Sequence, residues 1–165
     1  MPHAPAQRSF EITISSEDTM MELTPTVTVL DKFATSIEAI YRGATDSELN
    51  EAPLLSDWIL ANQGFPHFQG VAQGHPLLPA GPFRSSIALF IAPDLSHART
   101  LSRWYRLGDM KPPSSSRSQN DAISTLDIVA LPEFFDSVTL LLQQTAHDLC
   151  RTDIISRIEK VQMRK

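Results

Sequence analysis

The stretch from residue 64 to residue 108, GFPHFQGVAQGHPLLPAGPFRSSIALFIAPDLSHARTLSRWYRLG, decides the fold class of this chain. Glycine and proline divide it into short apolar runs, a pattern typical of strands joined by turns. We predict strands at about Phe68–Gln73, Phe83–Ile91 and Ala98–Leu107. Three strands at this spacing form an antiparallel meander, with one face available to pack against helices.

The last of these runs also fits a helix, whose arginines would lie along one side. Its threonine and aromatic residues favour a strand instead. A single strand over 98–107 would place Arg99, Arg103 and Tyr105 on one face.

Helical patterns flank this region on both sides. Pro25–Arg42 has apolar residues at spacings of three and four, and Gly43 suits its end. Asp46–Glu51 predicts a further helical turn. Pro132 suits the start of C-terminal helices, which we expect to break near Thr152-Asp153.

The predicted fold class is therefore α+β: a small antiparallel sheet of three to four strands, flanked by an N-terminal helix and C-terminal helices. The fourth strand would come from Ile123–Leu131. We expect one domain over 25–165, an exposed Pro/Ser-rich loop at 111–120, and an N-terminal arm at 1–24.

Charge is unevenly distributed in this chain of 165 residues, whose net charge is −5. Residues 1–83 carry three Lys/Arg and ten Asp/Glu, so this part is acidic. Residues 84–117 carry six Lys/Arg and two Asp/Glu, and residues 118–165 carry five Lys/Arg and seven Asp/Glu. A basic middle between acidic flanks favours an anion-binding face, attraction between two parts of one fold, or a solvated surface.

Composition favours a cytoplasmic protein. No apolar run approaches the roughly 20 residues of a membrane span, and the N-terminus lacks the apolar core of a signal peptide. The single cysteine, Cys150, has no partner for an internal disulfide, and we expect it to be buried and inert.

The sequence contains no catalytic constellation, and we predict no catalytic residues, no metal site and no cofactor. The zinc spacings, the nucleophile elbow and the phosphate-binding glycine loops are all missing from it. An enzyme would need His67, His75 and His97 to meet in one pocket. A structural role is favoured for them, because the imidazole of His75-Pro76 can hold its turn by bonding backbone groups.

One segment has the composition of a binding site. Its candidate binding residues are Arg99, Arg103, Trp104, Tyr105 and Arg106, joined by His75. Guanidinium groups interleaved with aromatic rings suit phosphates and bases, and they equally suit a protein interface. A third interpretation places the aromatic residues in the core and pairs the arginines with the acidic N-terminal half.

The order of several short motifs resembles a family of small bacterial proteins of unknown function. These motifs are Ala52–Trp58, Gly74-His75-Pro76, the pair Ser85-Ser86 where the family usually has Thr-Ser, and the R-T-x-S-R-x-Y-x-L-G run at Arg99–Gly108. The resemblance covers about residues 30 to 108. It implies one structural unit and a bacterial setting, and it transfers no catalytic residues.

These observations favour a non-catalytic protein-interaction module with an unidentified protein partner. One alternative is a nucleic-acid-binding or regulatory protein that uses segment 99–106. Another is a small inhibitor from a phage or mobile element that occupies the basic groove of a host nucleic-acid enzyme; the acidic first half, with Glu48 and Glu51, motivates it.

Overall fold

A computed structural model describes residues 16–112, 124–125 and 127–164, with only the backbone described for 16–27 and 124–125. Its elements follow in chain order: α1 Ser16–Arg42, α2 Asp46–Glu51, β1 Leu54–Asn62, β2 Pro66–Gln73, β3 Gly81–Ile91, β4 His97–Thr100, β5 Trp104–Leu107, β6 Ser124–Thr125, a 3-10 turn Ile128–Ala130, α3 Leu131–Asp148 and α4 Thr152–Gln162. The predicted α+β class is confirmed, with helices on both sides of the strands in the sequence.

Strands β1 to β5 close into a small barrel instead of the predicted open sheet of three to four strands. Each strand pairs antiparallel with the next, and β1 also pairs with β5 in parallel. The parallel pairing follows from the number of strands, because the first and fifth strands of an up-and-down series run in the same direction. The short strand β6 pairs with the end of β1, at Ala61 and Asn62.

Strand β1 was not predicted from the sequence, because a bulge interrupts the alternation of buried and exposed residues that is typical of a strand. Pairing with β2 shifts between Ser56 and Ile59, and Asp57 there has a φ of 49°. Leu55 and Trp58, on either side of the bulge and three residues apart, both lie in the core, so the apolar residues of this run do not follow a period of two. Gly70 lies opposite, where an added Cβ would stand 2.7 Å from the carbonyl oxygen of Ser56.

Two motif segments that are distant in sequence close the barrel. The backbone N–H of Arg106 donates to the carbonyl of Pro53, and that of Gly108 donates to the carbonyl of Leu55, each at 2.9 Å. The indole Nε1 of Trp58 donates to the carbonyl of Gly108, also at 2.9 Å. Trp58 is 1% exposed, so its ring belongs to the core.

Three sequence predictions about individual elements are corrected. The run 98–107 is neither one strand nor a helix but a hairpin, β4 and β5. The proposed fourth strand at Ile123–Leu131 is only β6 and the 3-10 turn within its described residues. Helix α1 begins nine residues before Pro25, which lies inside it at the cost of one backbone hydrogen bond.

The core has three parts. The barrel interior is filled by large side chains that are nearly inaccessible, including Leu55, Trp58, Phe68, Tyr105 and Leu131. A second cluster joins α1, α3 and α4 through Leu30, Ala34, Ile37, Leu142, Ala146, Ile154 and Ile158. A third, Ala39, Ala52 and Trp104, lies between the first two helices and the outer face of the sheet.

The predicted break between the C-terminal helices is confirmed. The prediction that Cys150 is buried is wrong. The chain turns between Asp148 and Thr152, where Cys150 is exposed and has a φ of 54°. Helix α4 returns to α1, where Arg157 contacts Asp31 at 2.6 Å and Glu38 at 2.7 Å. Among the described residues, none of the helices combines the length and the apolar content that a membrane span requires.

Candidate functional site

The polar residues of the Arg/aromatic segment shape the turn between β4 and β5. The backbone N–H of Thr100 donates to the carbonyl of Arg103 at 3.0 Å and closes the hairpin. The hydroxyl of Thr100 accepts from the N–H groups of Ser102 and Arg103 at 3.3 and 3.4 Å. The Ser102 hydroxyl also lies 2.9 Å from the hydroxyl of Ser86 on β3. Part of the motif therefore specifies a tight turn that contains neither glycine nor proline.

The two aromatic residues of the segment are buried on opposite sides of the sheet. Trp104 is 3% exposed and packs on the outer face against the rings of Phe90 and His97. Tyr105 is 1% exposed and points into the barrel, where its ring contacts Phe83. Neither ring is available to stack on a base, so the aromatic residues belong to the core, as the third interpretation proposed.

The three arginines of the segment have different environments. Arg106 is exposed, and its Nε donates to the carbonyl of Ala52 at 3.1 Å. Arg99 lies over the Trp104 ring, with its Cζ 5.5 Å from the ring centroid, and burial lowers its pKa. Arg103 is half-buried at the turn.

The predicted pairing of these arginines with the acidic N-terminal half is not found within the described residues. The arginines that form ion pairs there are Arg42, Arg151 and Arg157. Arg99 donates to the hydroxyl of Ser36 at 3.5 Å, and the negative charge of Glu48 raises its pKa against the larger, opposite effect of burial. In the described part of the chain, the hairpin arginines are therefore not in a direct ion pair, although Arg99 is attracted by one carboxylate of the acidic N-terminal half.

His75 holds the Gly-His-Pro turn, as its structural interpretation predicted. Its Nδ1 accepts from the N–H of Leu77 at 3.2 Å, and its ring lies 5.5 Å from Phe83 and 6.4 Å from Tyr105. Burial, followed by the positive charge of Arg103, lowers the pKa of His75. The neutral imidazole is therefore favoured, and it is the form that accepts a hydrogen bond.

The three candidate histidines do not meet. His67 is fully buried and contacts the carbonyl of Phe65 and the amide of Gln69, whereas His97 contacts Trp104 on the outer face. Within the described residues, no group of three or more His, Cys, Asp or Glu side chains could hold a metal ion.

A groove between α1 and α3 was not predicted from the sequence. Its volume is about 420 Å³, and its lining is Val29, Leu30, Phe33, Val138, Leu141, Leu142 and Thr145. Sequence periodicity placed most of these side chains on core-facing helices, yet Leu141 is 63% exposed and Val29 is 45% exposed. The available signal was the breadth of the apolar face on α3, which exceeds what one neighbouring helix can cover.

A second cavity, of about 650 Å³, lies beside the end of β3. Its walls come from β3, the end of α1 and the start of α3, and they include Phe90, Tyr41 and Phe135. Both concave surfaces are thus mainly apolar, and both lie against the helical layer.

No curated protein and no solved structure matches this chain. One family profile does match, over residues 21–123, and this range contains the segment from 30 to 108 that carries the resemblance. Because the match covers more than half of the sequence, the chain belongs to the Family of unknown function (DUF6634).

Proposed function

We propose that this protein is a non-catalytic protein-interaction module that binds an amphipathic helix of a partner protein in the groove between α1 and α3. The observation that carries the proposal is the exposure of Leu141 and Val29 around an apolar groove whose lining includes one polar residue, Thr145. Contiguous exposed apolar side chains of this kind mark interaction surfaces in soluble proteins.

The two helices that form the groove run antiparallel. In the groove the middle of α1, at Val29 and Phe33, lies beside the second half of α3, whereas Tyr41 at the end of α1 contacts Phe135 near the start of α3. The ridges of such a pair leave a furrow that a third helix can enter. Helix α4 already packs against α1 through Ile154 and Ile158, and a partner helix would pack in the same manner in the groove.

The length of the groove indicates the spacing of the partner's anchors. Val138 and Thr145 are seven residues apart on α3, which corresponds to about 10.5 Å along the helix axis. An incoming helix with apolar residues at i, i+4 and i+7 presents anchors over the same distance. The partner is therefore expected to contribute about two helical turns.

Two neighbouring leucines provide the test. Leu140 and Leu141 are almost equally exposed, at 66% and 63%, but only Leu141 lines the groove. A photo-crosslinking residue at position 141 should attach to a partner peptide with the i, i+4, i+7 pattern in native cells. The same residue at position 140 should not attach to that peptide. Leu141→Glu should abolish capture, while Leu140→Glu should preserve it.

Several results would contradict the proposal. Cross-links from position 141 to a second copy of this chain would assign the groove to self-association. Equal capture by the two glutamate variants, or the lack of any cross-link specific to position 141, would show that the groove does not bind a partner.

The cellular setting of the proposal is a bacterial cytoplasm. The resemblance to small bacterial proteins and the lone Cys150 support it.

A further inference from the structure

We infer that the cavity beside the end of β3 binds a small organic amine, whose ammonium group pairs with Asp136 and whose apolar body fills the cavity. This inference goes beyond the proposed function and does not depend on it. The cavity lies at the end of α1 and the start of α3, and its lining shares no residue with the groove that would bind a partner helix.

The size and the walls of the cavity suit a small molecule. Its volume of about 650 Å³ falls within the range of roughly 300 to 1,000 Å³ that is typical of ligand sites. Three half-buried aromatic residues, Tyr41, Phe90 and Phe135, belong to its lining. The ring centroids of Tyr41 and Phe135 are 6.2 Å apart, so α1 and α3 meet at the cavity through aromatic side chains. The faces of such rings attract ammonium groups.

The charge of the lining identifies the class of ligand. Among the described residues that line the cavity, Asp136 alone is charged, and all the others except Tyr41 are apolar. None of the ion pairs in the described part of the chain includes Asp136. A carboxylate beside an apolar and aromatic surface is complementary to an ammonium group that carries an apolar body.

The helix dipole does not account for Asp136. An acidic side chain stabilises the first turn of a helix, and Glu133 occupies that place in α3. Asp136 lies one turn further on, where this effect has declined. It shares a side of α3 with Pro132, four residues before it, and both residues line the cavity. Because Asp136 is exposed as well as part of the lining, it lies where the cavity opens to solvent.

Another wall of the cavity contains a strained residue. Leu95, in the turn between β3 and β4, has a φ of 58°, which lies in the left-handed region that leucine adopts at a cost in free energy. The N–H of Leu95 donates to the carbonyl of Ala92 at 2.9 Å and holds the turn. Leu95 lines the cavity and is 38% exposed. Strained residues are concentrated at ligand sites, and this one offers apolar surface to a bound molecule.

Three compounds of nearly the same size test the ligand class: benzylammonium is positively charged, benzyl alcohol is neutral and benzoate is negatively charged. Each compound is titrated into the folded protein at neutral pH and constant ionic strength, and binding is followed by NMR. Benzylammonium should cause saturable shifts in the signals of Phe90, Leu95 and Val129, because these residues line the cavity. Benzyl alcohol should bind about fivefold more weakly, since it lacks the charge that pairs with Asp136, and benzoate more weakly still.

Matched variants separate this site from general negative charge. Asp136→Asn should weaken benzylammonium binding about fivefold and leave benzyl alcohol binding unchanged. Glu133→Gln is the control, since Glu133 is exposed on the same helix but outside the cavity lining. Leu95→Gly should weaken the binding of both compounds equally, because it removes apolar surface and no charge, and glycine suits the positive φ. Circular dichroism and thermal midpoints will show that each variant is folded.

Four outcomes would overturn the inference. Benzyl alcohol could bind as tightly as benzylammonium, which would show that the cavity does not select a positive charge. Glu133→Gln could weaken benzylammonium binding as much as Asp136→Asn does. The signals of the cavity residues could show no saturable shift with benzylammonium. Saturable shifts confined to Val29 and Leu141 would place the amine in the groove between α1 and α3 instead.

Discussion

At the scale of single residues, Tyr105 combines a motif position with a place in the barrel core. Its ring is 1% exposed and contacts Phe83 and His75. Tyr105→Ala should destabilise the protein by about 3–5 kcal/mol, because it removes a buried ring and leaves a cavity. Tyr105→Phe keeps the ring and should change stability far less. Urea denaturation of both variants measures this, and an alanine variant with unchanged stability would contradict the core role.

Glu48 gives a pH-dependent prediction at the same scale. Hydrogen bonds from Arg42, and then from the backbone N–H of Thr45, lower the pKa of Glu48 from 4.5 to about 2. The carboxylate is therefore favoured in the folded state. Its contribution to stability is fully present above pH 4.5 and is lost as the pH falls from 4.5 through about 2.

NMR titration of the Glu48 carboxyl group checks this prediction. Arg42→Gln should raise the Glu48 pKa to a value between 2 and 4.5, because the Thr45 donors remain. Ser47→Ala is the control, since the Ser47 hydroxyl bonds Glu51 instead. A titration midpoint near 4.5 in the unsubstituted protein would disprove the ion pair.

At the scale of elements, the β4–β5 hairpin depends on the side chain of one threonine. Thr100 is fully buried, and its hydroxyl accepts hydrogen bonds from the backbone N–H groups of Ser102 and Arg103. Thr100→Val keeps the shape but leaves these donors unsatisfied, so it should cost about 1–3 kcal/mol. Thr100→Ser retains the hydroxyl and should cost less. A loss confined to Thr100→Ser in denaturation experiments, with Thr100→Val as stable as the unsubstituted protein, would assign the effect to the methyl group instead.

The helices were the elements that the sequence predicted best, and the reasons are local. The apolar period and the glycine stop defined the end of α1 at Arg42, and the capping box of Thr45 and Glu48 marks α2. The predicted start of α1 was wrong. Pro25 suits the first turn of a helix, and whether a proline is tolerated inside a helix depends on its surroundings. The hairpin was missed because its central turn residues, Leu101 and Ser102, include neither glycine nor proline, and the hydroxyl of Thr100 holds the turn instead.

At the scale of the whole molecule, closure of the barrel depends on the close approach of two strands at Gly70. An added Cβ would stand 2.7 Å from the Ser56 carbonyl oxygen and 3.0 Å from the Cα of Trp58, and both of these are backbone atoms. Gly70→Ala should therefore destabilise the protein by about 1–3 kcal/mol, as overpacking does.

Gly108 provides the matched control for that prediction. An added Cβ there would meet its nearest neighbours at 3.6 Å, an ordinary contact distance. Gly108→Ala should change the free energy of unfolding by less than about 0.5 kcal/mol. If thermal denaturation shows equal effects for the two alanine variants, close approach at Gly70 is not what limits barrel closure.

The sequence by itself determined the α+β class and the positions of most helices, because these follow from local periodicity and turn residues. Tertiary structure alone decided the closed barrel, since closure pairs β1 with β5 through backbone hydrogen bonds that leave no local pattern. It also decided the candidate sites. Whether Trp104 is covered, whether Leu141 is exposed, and whether Arg99 finds a carboxylate all depend on which distant elements pack beside them.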